Sequence, residues 1–125
     1  MPAPSPAPPA TTAPAIPAGK AYVHLYRRAI PLGPAVLSIY DSGRSVGGLR
    51  SGTYLNYYAD PGARSLKAVG PGAGSLPYAT TFKAGQTYYF MVYFLGDQAK
   101  GDASIAPVDA ATAAHEMAAL KLAAP

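Results

Sequence analysis

Residues 85–94 read GQTYYFMVYF. Seven of the ten side chains are aromatic or otherwise apolar and none is charged, so the stretch reads as a buried strand. At a period of two, Thr87, Tyr89, Met91, Tyr93 and Leu95 share one face, and Tyr88, Phe90, Val92 and Phe94 share the other. Both faces are apolar. That predicts cover on both sides and a central place in a layered β domain, with a structural rather than a chemical role.

The flanking sequence has the same grammar. YATTFK (78–83) precedes the stretch across the short Ala84-Gly85-Gln86 turn, which predicts a hairpin. Further upstream, SGTYLNYYA (51–59) places Thr53, Leu55 and Tyr57 on one face and Tyr54, Asn56 and Tyr58 on the other. It ends at Asp60-Pro61-Gly62, where proline presets the first corner of a turn and glycine supplies a positive φ. VLSIYD (36–41) follows a Pro-Leu-Gly-Pro turn, and DSGR (41–44) leads into SVGGLR (45–50). ARSLKAV (63–69) leaves the Asp60 turn, and GPGAGSLP (70–77) reads as a loop. KAYVHLYR (20–27) alternates Ala21, Val23 and Leu25 against Tyr22, His24 and Tyr26. Lys20, Arg27, Arg28 and Pro31 around it suit a protected edge strand. Past the polar loop GDQAKGD (96–102), Asp109 is a good N-cap for a helix over 109–122 whose alanines suit close packing on a sheet.

Residues 1–19 are different in kind. Seven of the fourteen prolines fall in the first seventeen positions, and the segment has no charge and no aromatic residue. Such a chain buries too little area to offset its ordering entropy and favours polyproline II. It reads as a disordered Pro/Ala-rich tether, or as an arm that docks on a neighbour. Residues 20–125 form the domain.

Composition narrows the function classes. With no cysteine there are no disulfides, thiolate metal sites or cysteine nucleophiles. The net charge is +4, but the ten Lys and Arg are scattered and only Arg27 and Arg28 adjoin, so no nucleic-acid partner is expected. Attraction to anionic lipid or polysaccharide fits better. No continuous apolar run approaches the roughly 18 residues of a membrane span. The first residues have no continuous apolar segment like that of a signal peptide, so export implies a leader already removed.

A catalytic constellation is not apparent. His24 and His115 lie at opposite ends of the chain, and together with Glu116 they would meet as metal ligands only through folding. There is no G-x-S-x-G elbow, and Glu116 is the sole glutamate. Asp41, Asp60, Asp97, Asp102 and Asp109 fit turns or a cap, where carboxylates bond to nearby backbone. GPGAG (70–74) is not followed by the lysine of a phosphate loop. We therefore expect no enzyme activity, no cofactor and no metal. The residue used to excess is tyrosine, at ten copies. Tyr54, Asn56, Tyr57 and Tyr58 are the candidate ligand-binding residues, because tyrosine combines apolar area with a hydroxyl. A pocket lined by Tyr57, Tyr58, Tyr88 or Tyr89 would serve a glycan or small molecule.

Four segments in order, AYVHLYR (21–27), VGGL (46–49), GTYLNYYADPGARSL (52–66) and KAGQTYYF (83–90), resemble a family of bacterial envelope lipoproteins of unknown function. The same grammar resembles PEGA-like and transthyretin-like surface β-sandwiches. The resemblance runs from about Lys20 to Leu122. It implies a periplasmic or cell-surface location, with outer-membrane anchoring through a lipid on a cysteine that this chain lacks. It carries over no catalytic residue. The histidine that often follows Pro-Gly in that family is absent, since Ala63-Arg64-Ser65 stand there.

These readings combine into one expectation: an antiparallel β-sandwich of about seven strands with one C-terminal helix. The expected function is a non-catalytic cell-envelope module that contacts protein or cell-wall polymer. The alternatives are a structural subunit of a larger secreted or surface assembly, with its arm on a neighbour, and a glycan or small-molecule binder using a tyrosine-rich sheet face.

Overall fold

The computed structural model describes residues 16–30, 35–71, 73–96 and 101–123. The tether to residue 15, the Pro-Leu-Gly-Pro turn and the tip of the loop near residue 98 lie outside the described residues. The chain is mainly β, with two sheets and one helix. In chain order the strands are β1 (Ala21–Arg27), β2 (Leu37–Asp41), β3 (Arg44–Leu49), β4 (Thr53–Ala59), β5 (Gly62–Val69), β6 (Ala73–Ser75), β7 (Tyr78–Phe82), β8 (Thr87–Gly96), β9 (Gly101–Val108) and β10 (Lys121–Leu122). The helix, α1, spans Ala110–Met117 between the last two strands. Sheet A has the order β10-β4-β1-β8-β9-β6, and sheet B the order β3-β2-β5-β7.

The sandwich stands, with corrections. Among the described residues ten strands replace the expected seven, because Ala73–Ser75, Gly101–Val108 and the short β10 all pair. Sheet A is mixed: β1 pairs antiparallel with β4 but parallel with β8. Short turns force antiparallel pairing only on consecutive strands. Between β4 and β8 the chain passes through sheet B twice, at β5 and β7, so β8 is free to run alongside β1. For the same reason residues 78–96 are not a hairpin. β7 pairs with β5 in sheet B, while β8 lies in sheet A. The three-residue turn crosses the sandwich at Gly85, whose φ is +81°.

β1 is interior rather than an edge, lying between β4 and β8. Its inward face, Ala21, Val23 and Leu25, is fully buried, and of the flanking charges Arg27 itself pairs, opposite Thr53 of β4. Arg27 is only 4% exposed and donates from Nη1 to the Leu49 carbonyl at 3.0 Å. The inward residues of both sheets, among them Leu37, Ile39, Leu66, Phe82, Phe90 and Val92, form one core. The DSGR turn appears as read. Ser42 and Gly43 both have positive φ, 51° and 86°, the two-residue geometry that matches strand twist.

Asp109 caps α1 as expected, its Oδ1 accepting from the Thr112 amide at 2.8 Å. The helix ends at Met117 rather than Leu122. Edge pairing overrides helical propensity there: Lys121 N donates to Gly52 O at 3.1 Å and Ala123 N to Tyr54 O at 2.8 Å, which pulls the tail onto β4. Ala113 is fully buried where α1 packs on β8. Among the described residues no helix is long and apolar enough to cross a membrane.

The cover over β8 is uneven. On its inward face Phe90 and Val92 are buried against sheet B, and Tyr88 and Phe94 at the two ends are half-buried. On the outward face Met91 and Tyr93 are half-buried, while Thr87 and Leu95 are exposed. The expectation of cover on both flanks holds for one flank and part of the other.

Candidate functional site

The outward face of sheet A is built in rows across β4, β1 and β8. Register places Tyr58, Tyr22 and Thr87 in one row, Asn56, His24 and Tyr89 in the next, and Tyr54, Tyr26 and Met91 in the third. Helix α1 takes the third row. Tyr26 is fully buried and its hydroxyl donates to Glu116 Oε1, while Arg28 Nη1 lies 3.7 Å from Glu116 Oε2. The other two rows are open at Tyr58, Asn56 and Thr87, half-open at His24 and Tyr89, and closed at Tyr22, which is 8% exposed.

Their rings form a connected stack. Tyr22 and Tyr58 are stacked at 4.9 Å, His24 and Tyr89 at 4.8 Å and 7°, and Tyr22 meets His24 edge-on at 4.4 Å. Neighbouring strands are about 4.8 Å apart. Rings that stack at the strand spacing must stand on edge, with their planes upright from the sheet. They cover one another's faces. Each such pair adds about 0.5–1.5 kcal/mol beyond burial, so the row is ordered before any ligand arrives. Tyr58 ends the stack. Among the described residues, β10 reaches β4 only at Thr53 and Tyr54, so no strand follows Tyr58. Its second ring face is open at the sheet edge, and the residue is 41% exposed.

The open rows are uncharged near neutrality. Burial holds His24 below the usual histidine value of 6.5, partly opposed by its hydrogen bond to Asn56. Nδ1 lies 2.6 Å from Asn56 Oδ1; with that oxygen accepting, Nδ1 carries the proton and Nε2 keeps its lone pair. Tyr22 is raised above the usual tyrosine value, first by burial and then by the nearby Tyr58, Tyr54 and Tyr89 hydroxyls. One stability prediction follows. Because the folded state depresses the His24 value, the unfolded chain binds the extra proton first. The His24 contribution is complete above pH 6.5 and fades as pH falls through the lower folded value. Thermal midpoints measured from pH 7.5 to 5 should decline over that window, and His24→Gln should flatten this part of the decline.

A second feature adjoins the stack. A cleft of about 400 Å³ wraps the open end of β4, with Tyr57 entering from the inward side and Tyr58 from the outward side. Lys20, Asp41, Arg44, Asp60 and Arg64 supply its charges. Asp41 is buried at the end of β2, where Oδ2 accepts from the Tyr57 hydroxyl at 2.8 Å and Oδ1 from Arg64 Nε at 2.8 Å. This bond ties sheet A to sheet B. Burial, then the bond to Asp41, pushes the Tyr57 hydroxyl far above its ordinary value. Lys20 Nζ pairs with Asp60 at the rim.

The four sequence candidates therefore divide. Tyr54, Asn56 and Tyr58 lie outward as the alternation implies, whereas Tyr57 is an inward brace. Tyr88 also leaves the open face: its hydroxyl accepts from Lys83 N at 2.9 Å and its ring packs on Phe82. Tyr22, His24 and Tyr89 join the site, and their membership depends on the register of three strands. His24, His115 and Glu116 do not converge; among the described residues no group of three or more metal-ligating side chains gathers. Set against family models, curated proteins and solved structures, the chain matches none.

Proposed function

We propose that the chain is a non-catalytic contact module of the cell envelope that holds a cell-wall polysaccharide against the open rows of sheet A. The observation that carries this reading is the stack ending at Tyr58. It offers one free aromatic face for a sugar ring beside a fixed line of neutral hydroxyl, imidazole and amide groups. A polyhydroxylated ligand matches those donors and acceptors without bringing a charge onto an uncharged face. Order already present in the rings lowers the cost of binding. The envelope compartment in this reading comes from the family resemblance.

Affinity electrophoresis through gels containing soluble neutral polysaccharides tests it. Retardation by at least one such polymer is expected. Tyr58→Ala should weaken it about tenfold, the loss of one ring-stacking contact of about 1–1.5 kcal/mol. Tyr40→Ala, on the outward face of sheet B, should change nothing. A wild-type chain that no polysaccharide retards would overturn the reading.

A further inference from the structure

We propose that the cleft at the open end of β4 is an anion subsite that reads the carboxylate of an acidic sugar. The inference rests on the polysaccharide reading above and specifies its ligand as uronic acid-containing.

The charges in the cleft do not cancel. Lys20, Arg44 and Arg64 face Asp41 and Asp60, which leaves one positive charge in surplus. Each carboxylate already has a partner: Asp60 pairs with Lys20, and Asp41 with Arg64. Arg44, exposed at the start of β3, has no ion-pair partner among the described residues. Both arginines are near enough to Asp60 to help Lys20 lower its carboxyl value.

The subsite is also built rather than merely charged. Arg64 is anchored through Nε at 2.8 Å on an Asp41 side chain that is only 3% exposed, and Tyr57 holds the second Asp41 oxygen. Fixing Nε sets the direction of the guanidinium and leaves its Nη edge for a second acceptor. A single negative charge satisfies the surplus, which favours a carboxylate over a dianionic phosphate. Tyr58 lines this cleft and also ends the ring stack, so a sugar against its open face has its carboxylate within the charged pocket. The net charge of +4 assists approach of an acidic polymer.

The test compares polygalacturonate oligomers with the same oligomers fully methyl-esterified, which removes the charge and keeps the sugar backbone. Titration calorimetry at 50 mM and 500 mM salt is run on the wild-type chain, Arg44→Gln and Tyr58→Ala. The acid form should bind the wild type about tenfold more tightly at low salt, with the preference shrinking at high salt. Arg44→Gln should shrink the preference for the acid form without moving the thermal midpoint, since the anchored Arg64 remains, and Tyr58→Ala should weaken both. Equal binding of acid and ester by the wild type, or an undiminished preference in Arg44→Gln, overturns the subsite and leaves the polysaccharide reading intact. Failure of both oligomers to bind, where a neutral polymer does bind, overturns the subsite alone; failure of every polysaccharide overturns both. Tetraglutamate binding as tightly as polygalacturonate, and indifferent to Tyr58→Ala, overturns the sugar assignment in favour of an acidic peptide.

Discussion

Phe90→Ala is expected to lower the unfolding free energy by about 3–5 kcal/mol, a large share of the roughly 5–15 kcal/mol that holds a domain of this size. Phe90 is 2% exposed on the inward face of β8. It meets Tyr78 edge-on at 5.8 Å and Phe82 at 6.1 Å, and Phe82 in turn packs on Tyr88 at 4.8 Å. These four rings come from β7 and β8, which belong to opposite sheets, so the cluster fastens one layer to the other. Truncation removes transfer energy and leaves a cavity in a region that cannot collapse without separating the sheets. Urea unfolding should show the midpoint falling with little change in slope. Phe90→Leu, which refills most of the volume, should recover more than half of the loss. Met91→Ala, one residue along and facing outward, should cost well under Phe90→Ala, because only α1 and the ring rows border it. Similar losses at 90 and 91 would mean that both flanks are core, which is the arrangement the alternation suggests and the structure corrects.

That correction shows where sequence reading stops. Local chemistry was legible wherever one residue type has one use. Ser42-Gly43 makes the tight turn, Gly62 takes a φ of +109° after Pro61, and Asp109 caps the helix. Which strands adjoin was less so. Ala84-Gly85-Gln86 fits a hairpin or a crossing between layers equally well, and the choice depends on Phe82 and Phe90 burying from opposite sheets. β9 was hidden by Pro107, which stands where β9 has no strand on its far side, since β6 pairs only with Gly101–Ala103. The site divides in the same way. The outward set Tyr54, Asn56 and Tyr58 is an alternation within one strand. The stack of His24 on Tyr89 needs β1 and β8 parallel in one register, and no pattern within either strand encodes that.

Asp41→Ala is the other change with a large expected effect, about 2–3 kcal/mol of destabilisation. The half-buried Tyr57 hydroxyl would lose its acceptor, a loss toward the lower end of the roughly 1–3 kcal/mol that an unmet buried group costs. Arg64 would lose its partner, but its side chain is 20% exposed and water recovers part of that loss, so the full buried-pair penalty does not apply. Asp41→Asn keeps one oxygen for Tyr57 and should cost about half as much. Tyr57→Phe removes the donor and leaves Asp41 with Arg64, at about 1 kcal/mol. The double change Asp41→Ala, Tyr57→Phe should therefore cost less than the sum of the two singles, and urea titration of the four chains measures the coupling. Strict additivity would mean that the bond between the sheets contributes nothing. The same variants separate support from contact. Tyr57→Phe leaves Arg64 anchored and should keep the preference for acid over ester. Asp41→Ala frees the guanidinium to rotate; the cleft becomes more positive but its donors lose their fixed direction. If attraction alone set the preference, Asp41→Ala would strengthen it. If the fixed Nη edge sets it, the preference falls although the net charge rises, and it is this fall that the geometry of Asp41, Tyr57 and Arg64 leads us to expect.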